Sequence, residues 1–264
     1  MSVITITTEW KPYDFYYGIL RGNLYTLCPE AIIVDIATGV PPFNISHAAF
    51  VIRNTYEHFP EGSIHIICIH TEVGSNQDFV IVRAKNHFFI GTDNGIFNLI
   101  LNSDPDEVIK ISPNGNADEM IVYAEAASSL LSGIPMADLG SSLKKIKEKV
   151  PLRATIDKDV IIGSVIFIDS YGNALTNITK ELFFRIFENK VYTILIQSNK
   201  NSTNHLCRYY SDEPVGELLA RFNSLDLLEI AINGTDASEL LNLTVGSVVR
   251  VELANKTATS HGLF

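Results

Sequence analysis

The chain has 264 residues, of which 46% are apolar and 19% charged, and these proportions exclude a disordered chain and favour a well-packed soluble protein. The formal net charge of -10 at pH 7 disfavours a nucleic-acid partner, because a phosphate backbone would be repelled. No apolar run reaches the length of a membrane span, and no basic segment followed by an apolar core opens the chain, so we expect a cytoplasmic protein without membrane contact.

The first part of the chain alternates between predicted strands and predicted helices. Apolar, β-branched runs predict strands at SVITITT, AIIVDIA, SIHIICIH, DFVIVRA and HFFIGT. Helical patterns lie at DFYYGILRGNLYTLCP, at SHAAFVIRNTYEHFP with Ser46 as its N-cap, at GIFNLIL and at DEMIVYAEAASSLLSG. This alternation predicts an α/β domain with a largely parallel sheet over residues 1–150.

The character of the sequence changes over residues 141–158, where the charged run LKKIKEKV is followed by Pro151 and by TIDKD. Further along, VIIGSVIFID, KVYTILIQS, LLEIAIN and SVVRVEL predict short strands, and TKELFFRIF and VGELLARF predict helices. We therefore expect a smaller, mostly antiparallel, barrel-like β domain over residues 159–253, followed by a flexible polar tail over residues 254–264.

The common nucleotide-binding and hydrolase motifs are absent, but polar clusters follow several predicted strands. One follows the first long strand of the second domain, where residues 169–177 carry more hydrogen-bonding groups around Gly172 than a turn needs. Trp10 either packs or stacks on a purine, and His70 either ends its strand or lies in a site. The three cysteines lack the spacing of a zinc site, and we expect no metal and no cofactor.

A series of segments in fixed order carries a resemblance to a known family: TTEW, DFYYGILRG, IVDIATGVPPFNISHAAF, FPEGSIHI, GTDNGIF, AASSLLSG, IDSYGNALTNI and VGELLARFNSLDLLEIAIN. Over about residues 3–253 the chain resembles the S-adenosyl-L-methionine hydroxide adenosyltransferases, which are related to the bacterial fluorinase and chlorinase. The resemblance implies a Rossmann-like N-terminal domain, a β-barrel-like C-terminal domain and a homotrimer. It also implies a ligand held between the N-terminal domain of one chain and the C-terminal domain of the next, and attack of water or hydroxide on the ribose C5′ that yields adenosine and methionine.

The same resemblance assigns ligand contacts to individual positions of this chain. Asp169 is expected to meet the methionine ammonium, Tyr171 to stack on adenine and Asn173 to bond the adenine edge. Glu9 stands where the family has an aspartate that grips the ribose hydroxyls, and a carboxylate can accept both of them. The other expected contacts are Trp10, Asp14, Phe15, Tyr16, Phe43, Glu119, Ser224 at the amino-acid end, Leu225 in place of a halogenase arginine, and Ile232 to Gly234 around adenine.

The chain departs from the family at all three catalytic positions. His70 replaces the aspartate of a VDPGVG-like segment, Gln77 replaces an arginine, and Asp118 replaces a histidine. One interpretation is an exchanged pair, in which His70, held by Asp118, takes the proton of the attacking water. The other is a site that binds S-adenosylmethionine or adenosine with weak turnover or none; another reaction on an adenosyl ligand is also open.

Overall fold

The computed structural model describes residues 2–72, 77–113 and 118–254, and the chain divides between Pro151 and Leu152 into two units. We call the first the α/β unit and the second the β unit. The predicted flexible tail, apart from Ala254, lies outside the described residues. Among the helices that the structure describes, none has the length and apolarity needed to cross a bilayer.

In the part of the α/β unit that the structure describes, there are seven strands and four α-helices. The strands are β1 (Val3–Thr8), β2 (Ile32–Ala37), β3 (Ile64–Cys68), β4 (Phe79–Ala84), β5 (His87–Thr92), β6 (Glu107–Ile111) and β7 (Gly140–Ser142). The helices are α1 (Phe15–Leu27), α2 (Ile45–Arg53), α3 (Ile96–Leu101) and α4 (Glu119–Leu131). The sheet order is β2-β1-β3-β5-β4-β6-β7; the first four strands are parallel, and β4 pairs antiparallel with both of its neighbours.

Helices cover both faces of this sheet, as the continuous burial of its central strands β1 and β3 requires. Helices α1 and α4 pack into one buried cluster with the strands, and α2 and α3 pack into the other. In α1 the buried residues are Tyr17, Leu20 and Leu24, which is the face expected from their spacing. The α/β class predicted from the alternation of strands and helices is confirmed.

The start of α2 differs from the sequence prediction. The N-cap is Asn44, whose Oδ1 accepts a hydrogen bond from the His47 backbone N–H at 3.0 Å, so Ser46 lies inside the helix and the prediction of a serine cap is wrong. Asparagine caps as well as serine does, and the earlier start places Ile45 in the core. The cap therefore directly follows Phe43, one of the predicted site residues.

The β unit is built from one curled antiparallel sheet. Its strands are β8 (Thr155–Asp157), β9 (Val160–Ile168), β10 (Ala174–Thr179), β11 (Tyr192–Ile196), β12 (Ser198–Thr203), β13 (Leu218–Phe222), β14 (Leu227–Ile232) and β15 (Val248–Leu253), and its helices are α5 (Lys180–Phe187) and α6 (Ala237–Leu240). The order is β12-β11-β15-β9-β10-β14-β13, with β8 beside β9. Because β12 contacts β13 and the Cys207 N–H bonds the Ala220 carbonyl of β13 at 2.8 Å, the sheet nearly closes. The barrel-like prediction is confirmed.

The segment VGELLARF forms a turn followed by a strand, and the prediction of a helix there is wrong. Its last five residues form β13, which pairs antiparallel with β14 from Leu218↔Ile232 to Phe222↔Leu228. Gly216, with φ of 89°, lies in the turn before the strand, and the turn at residues 223–226 ends it. Pairing with the apolar β14 outweighs the modest helix preference of Glu, Leu, Ala and Arg over so short a stretch.

Two histidines are buried together in the α/β unit. His65 is 1% exposed, its Nδ1 lies 2.8 Å from the Thr5 hydroxyl, and its Nε2 lies 3.1 Å from His87 Nδ1. Burial, with the neighbouring His87, lowers the pKa of His65 to about 3, and burial also lowers the pKa of His87. His65 is therefore a core residue of β3.

This pair should make the protein sensitive to acid. Both folded pKa values lie below the unfolded value of 6.5, so below pH 6.5 the unfolded chain binds more protons. The stabilising contribution is complete above pH 6.5 and should fall with pH by about 1.4 kcal/mol per unit for each fully titrating histidine. Urea unfolding at pH 7 and pH 5 measures this loss, and His65→Asn should show a smaller difference between the two. An equal difference in both proteins would contradict the assignment.

Candidate functional site

In the α/β unit, the site predicted beyond the carboxyl ends of the strands is centred on Glu9. Glu9 follows β1, and its N–H bonds the Cys68 carbonyl at the end of β3 at 3.1 Å. Its Oε2 accepts the Phe43 N–H at 2.6 Å and its Oε1 accepts the His70 N–H at 2.9 Å. Both donors have left-handed backbone, with φ of 62° and 48°, which is uncommon for bulky residues and is typical of functional positions. Each oxygen of the fixed carboxylate keeps one lone pair for a ligand.

A second carboxylate lies at the same end of the sheet. Glu119, the first residue of α4, accepts a hydrogen bond from the Thr71 hydroxyl at 2.9 Å, and the Thr71 carbonyl accepts one from Thr92 at 3.1 Å. Burial raises the pKa of the Cys68 thiol well above its usual value, and the negative charges of Glu119 and Glu9 raise it further. Both glutamates therefore act on the end of β3, which favours a cationic ligand there.

Aromatic side chains surround this carboxylate centre. Trp10 and Tyr16 stack with ring centroids 5.6 Å apart, and Phe15 lies 3.9 Å from Tyr16. Phe43 is 69% exposed and meets the His70 ring edge-on at 5.4 Å. The predicted contact Asp14 accepts a hydrogen bond from the Lys11 N–H at 2.7 Å, which fixes the turn that follows Trp10. These rings provide a surface suited to a flat ligand.

The three positions that the resemblance assigns to catalysis have different surroundings. The Asp118 carboxylate is the N-cap of α4 and accepts the Ile121 N–H at 3.0 Å. Gln77 is half-buried, and its Oε1 has no hydrogen-bond partner among the residues that the structure describes. Within residues 2–72, 77–113 and 118–254, no hydrogen bond joins the side chains of His70 and Asp118, so the exchanged pair stays a prediction. Val73, Gly74 and Ala117 of the two compared segments lie outside the described residues.

In the β unit, Asp169 organises the polar loop that follows β9. Its Oδ1 accepts the N–H groups of Tyr171 and Asn173, both at 2.9 Å, and its Oδ2 accepts the Asn173 side-chain amide at 3.0 Å. Three of about four acceptor positions are therefore used inside the loop, and one on Oδ2 is left for a ligand. Gly172, with φ of 80°, lies so close to Asp236 that a Cβ there would overlap its carboxylate. This accounts for the glycine and for much of the polar cluster around it.

This loop forms one wall of a cavity of about 550 Å³, which lies within the usual range for ligand pockets of about 300–1,000 Å³. The lining residues are Tyr171, Asn173, Tyr210, Ile232, Gly234, Thr235 and Asp236. The structure thus brings together four residues predicted from the sequence. Tyr171 is 78% exposed, whereas Asn173 is buried with its amide oxygen unused by the loop.

Tyr210, Thr235 and Asp236 line the cavity but were not predicted from the sequence. The Tyr210 hydroxyl donates to Glu229 at 2.7 Å, and the Arg221 guanidinium lies 4.6 Å from its ring centroid. Burial and the hydrogen bond to Glu229 raise the pKa of Tyr210 to about 12. Asp236 caps α6 through the Glu239 N–H at 2.8 Å. The one sequence feature that could have pointed to Tyr210 is its position beside Tyr209 in a polar segment.

Ser224 and Leu225 lie apart from the cavity wall. They occupy the turn between β13 and β14, where Asn223 Oδ1 accepts the N–H groups of Leu225 and Leu227 at 2.9 and 3.2 Å. Ile232 is at the other end of β14, a strand of six residues that spans about 17 Å. The structure does not bring these two residues to the cavity, and their contacts with an amino-acid group stay predictions.

The fold and the two candidate sites define a two-domain protein: an α/β unit with carboxylates beyond its parallel strands, followed by a barrel-like antiparallel unit with a nucleoside-sized cavity. The model of the SAM hydroxide adenosyltransferase N-terminal domain matches residues 4–140, and the model of the C-terminal domain of the same family matches residues 163–250. The chain belongs to the S-adenosyl-L-methionine hydroxide adenosyltransferase family, as its resemblance indicated.

Individual relatives agree with this family. A (R)-S-adenosyl-L-methionine hydrolase of Methanocaldococcus jannaschii is 28% identical, covering 92% of this chain and 93% of the relative. A fluorinase of Actinoplanes sp. is 20% identical, covering 96% and 98% of the two chains. Among solved structures, an uncharacterized conserved protein from Thermotoga maritima has a TM-score of 0.82 at 24% identity, covering 95% of this chain and 99% of that one. That last likeness concerns the fold alone.

Proposed function

We propose that this protein hydrolyses S-adenosyl-L-methionine to adenosine and L-methionine. The cavity whose wall is formed by Tyr171, Asn173, Ile232 and Gly234 is the observation that supports the proposal most directly, because these positions match the adenine-binding segments of the family. Relatives of nearly the same length that are named (R)-S-adenosyl-L-methionine hydrolase support the same reaction. In this reaction a water oxygen bonds C5′, the C5′–S bond breaks, its electron pair stays on the methionine sulfur, and the water loses a proton.

The residues have defined parts in the proposed complex. The Glu9 carboxylate, held by two backbone N–H groups, offers its remaining lone pairs to the 2′- and 3′-hydroxyls of the ribose. Asn173 offers its amide oxygen and second N–H to the adenine edge, and the exposed ring of Tyr171 stacks on the base. The free acceptor position of Asp169 suits the methionine ammonium.

A second candidate function is binding of S-adenosylmethionine or adenosine without appreciable turnover. The three substituted catalytic positions favour it: Gln77 brings no charge, and Asp118 uses one carboxylate oxygen to cap its own helix. General-base help is worth about 10²–10⁴-fold, so loss of the base alone would leave weak activity, whereas loss of water positioning as well would leave almost none.

Incubation of the purified protein with S-adenosylmethionine, followed by chromatography, tests the reaction. Equal amounts of adenosine and methionine are expected, with the oxygen of isotopically labelled water in the 5′ position of the adenosine. Calorimetric titration with adenosine measures binding separately. Binding without products would establish the second function, and neither binding nor products at millimolar ligand would overturn both.

We further propose that the protein is a homotrimer in which the α/β unit of one protomer and the β unit of the next hold the same ligand. Phe43 and Tyr171, from the two candidate sites, are 69% and 78% exposed in the single chain, as surfaces completed by another protomer would be. Light scattering at micromolar concentration is expected to give about three times the chain mass of 29.2 kDa. A monomeric mass would rule out a shared site.

A further inference from the structure

Three side chains with metal-binding atoms converge in the segment that follows β12. His205, Cys207 and Glu213 each contribute one such atom, and these atoms all lie within 4.8 Å of one another. His205 Nε2 is 2.5 Å from Glu213 Oε1, and Cys207 Sγ is 4.0 Å from the same oxygen. Neighbouring N, O and S ligands of tetrahedral zinc lie about 3.3–3.6 Å apart, so small side-chain rotations would create the geometry.

The backbone already holds two of these residues in place. The Cys207 N–H bonds the Ala220 carbonyl in β13 at 2.8 Å, and the Glu213 carbonyl accepts the side-chain amide of Asn233 at 2.7 Å. Cys207 is 8% exposed and packs against Leu219 and Ala231, so its thiol has a fixed position. A metal ion would therefore close a loop whose ends are already ordered.

The orientation of His205 is also set by a neighbour. Its Nδ1 lies 3.2 Å from the side-chain oxygen of Asn204, which can only accept, so Nδ1 carries a hydrogen. The other nitrogen, Nε2, then faces Cys207 and Glu213. A histidine ligand usually donates its second N–H to an oxygen in this way, which fixes the tautomer and the ring direction.

We propose that His205, Cys207 and Glu213 bind one divalent cation of borderline softness, with Zn²⁺ as the best fit, and that water completes the fourth position. A thiolate, an imidazole and a carboxylate together match Zn²⁺, whereas Mg²⁺ and Ca²⁺ prefer oxygen ligands alone. On binding, the cation takes the place of the thiol proton of Cys207 and of any proton on His205 Nε2, and both are released to solvent.

The site borders the cavity described above. Tyr210 lies between Cys207 and Glu213 in the chain and lines the cavity, and Asn233, which bonds Glu213, lies between two further lining residues, Ile232 and Gly234. A cation bound by Cys207 and Glu213 would therefore stabilise the segment that places Tyr210 in the cavity wall.

Metal analysis of the full-length protein tests the proposal. After equilibration with Zn²⁺ and dialysis, we expect one zinc per chain, and with Co²⁺ in its place a thiolate-to-cobalt charge-transfer band. Cys207→Ser should abolish the band and weaken Zn²⁺ binding by about 100-fold or more. Cys28→Ser, which removes a buried thiol of the α/β unit, should change neither. Asn204→Ala should weaken binding by about 10- to 100-fold.

Variants at His205 keep the test independent of the buried cysteine. His205→Gln changes an exposed side chain and should lower Zn²⁺ affinity as strongly as Cys207→Ser, whereas His58→Gln, at another exposed histidine, should not. Zn²⁺ should also raise the Tm of the wild type more than that of either site variant, because only the wild type binds it tightly in the folded state. No retained zinc in the wild type, or wild-type affinity in both variants, would overturn the proposal.

Discussion

Substitution of His70 by alanine is expected to lower the rate of S-adenosylmethionine hydrolysis by about 10²–10⁴-fold, the usual worth of a general base. The side chain of His70 is the only imidazole among the sequence-predicted site residues, and it is half-buried beside Glu9 and Phe43. Adenosine release measured by chromatography reports the loss. Unchanged turnover would discard the idea that His70 and Asp118 have exchanged the family's catalytic roles.

Binding measurements separate a catalytic effect of this substitution from a structural one. Glu9 is held by the backbone N–H of His70, so the side chain can be removed without loss of that contact. His70→Asn is the matched control for backbone strain, because asparagine tolerates the φ of 48° better than alanine does. Both variants should bind adenosine as the wild type does, while His58→Ala should leave turnover unchanged.

Asp118 allows a companion test, because asparagine can replace it as a helix cap. Asp118→Asn should keep α4 stable through the bond to the Ile121 N–H while removing the charge that an exchanged pair requires. Residues that act as one unit have non-additive effects, so the double variant with His70→Ala should be about as slow as His70→Ala alone. If the loss of rate in the double variant equalled the product of the two single losses, the residues would act separately.

The fold was largely predictable because the strands of both units are clear apolar runs in the sequence. The alternation of strands with helices predicted the α/β class of the first unit. Short strands joined by Gly- and Asn-rich turns predicted the antiparallel β class of the second. Two errors came from local propensity: VGELLARF has helix-forming residues but pairs with β14, and Ser46 is a plausible cap that loses to Asn44. For VGELLARF the long-range pairing with β14 outweighed local propensity, whereas for α2 two neighbouring cap candidates competed and the earlier start buries Ile45.

The candidate site was predictable only where its residues adjoin in sequence. Asp169, Tyr171 and Asn173 lie in one short loop, so the dense polar cluster indicated them. Tyr210 reaches the same cavity from a distant segment, where its hydroxyl bonds Glu229 of β14. The arrangement of His205, Cys207 and Glu213 was not predicted for a different reason: the three residues are close in sequence, but their spacing matches no common metal motif.

Tyr171→Ala is expected to weaken adenosine binding by about 5- to 150-fold, with little change in stability. Stacking of a base on an aromatic ring is worth about 1–3 kcal/mol, which corresponds to this range of affinity. The ring is 78% exposed and lines the cavity, so its removal leaves no void in the core and should change the free energy of unfolding by less than about 0.5 kcal/mol. Calorimetric titration and urea unfolding measure the two quantities.

Tyr171→Phe is the matched control, because it keeps the stacking surface and removes only the hydroxyl. It should bind adenosine within about threefold of the wild type, since a stack depends on the ring rather than on its hydroxyl. The backbone N–H of residue 171 still bonds Asp169 in both variants, so the loop keeps its shape. Equal affinity of Tyr171→Ala and the wild type would show that adenine does not stack at this position and would move the nucleoside away from the cavity of the β unit.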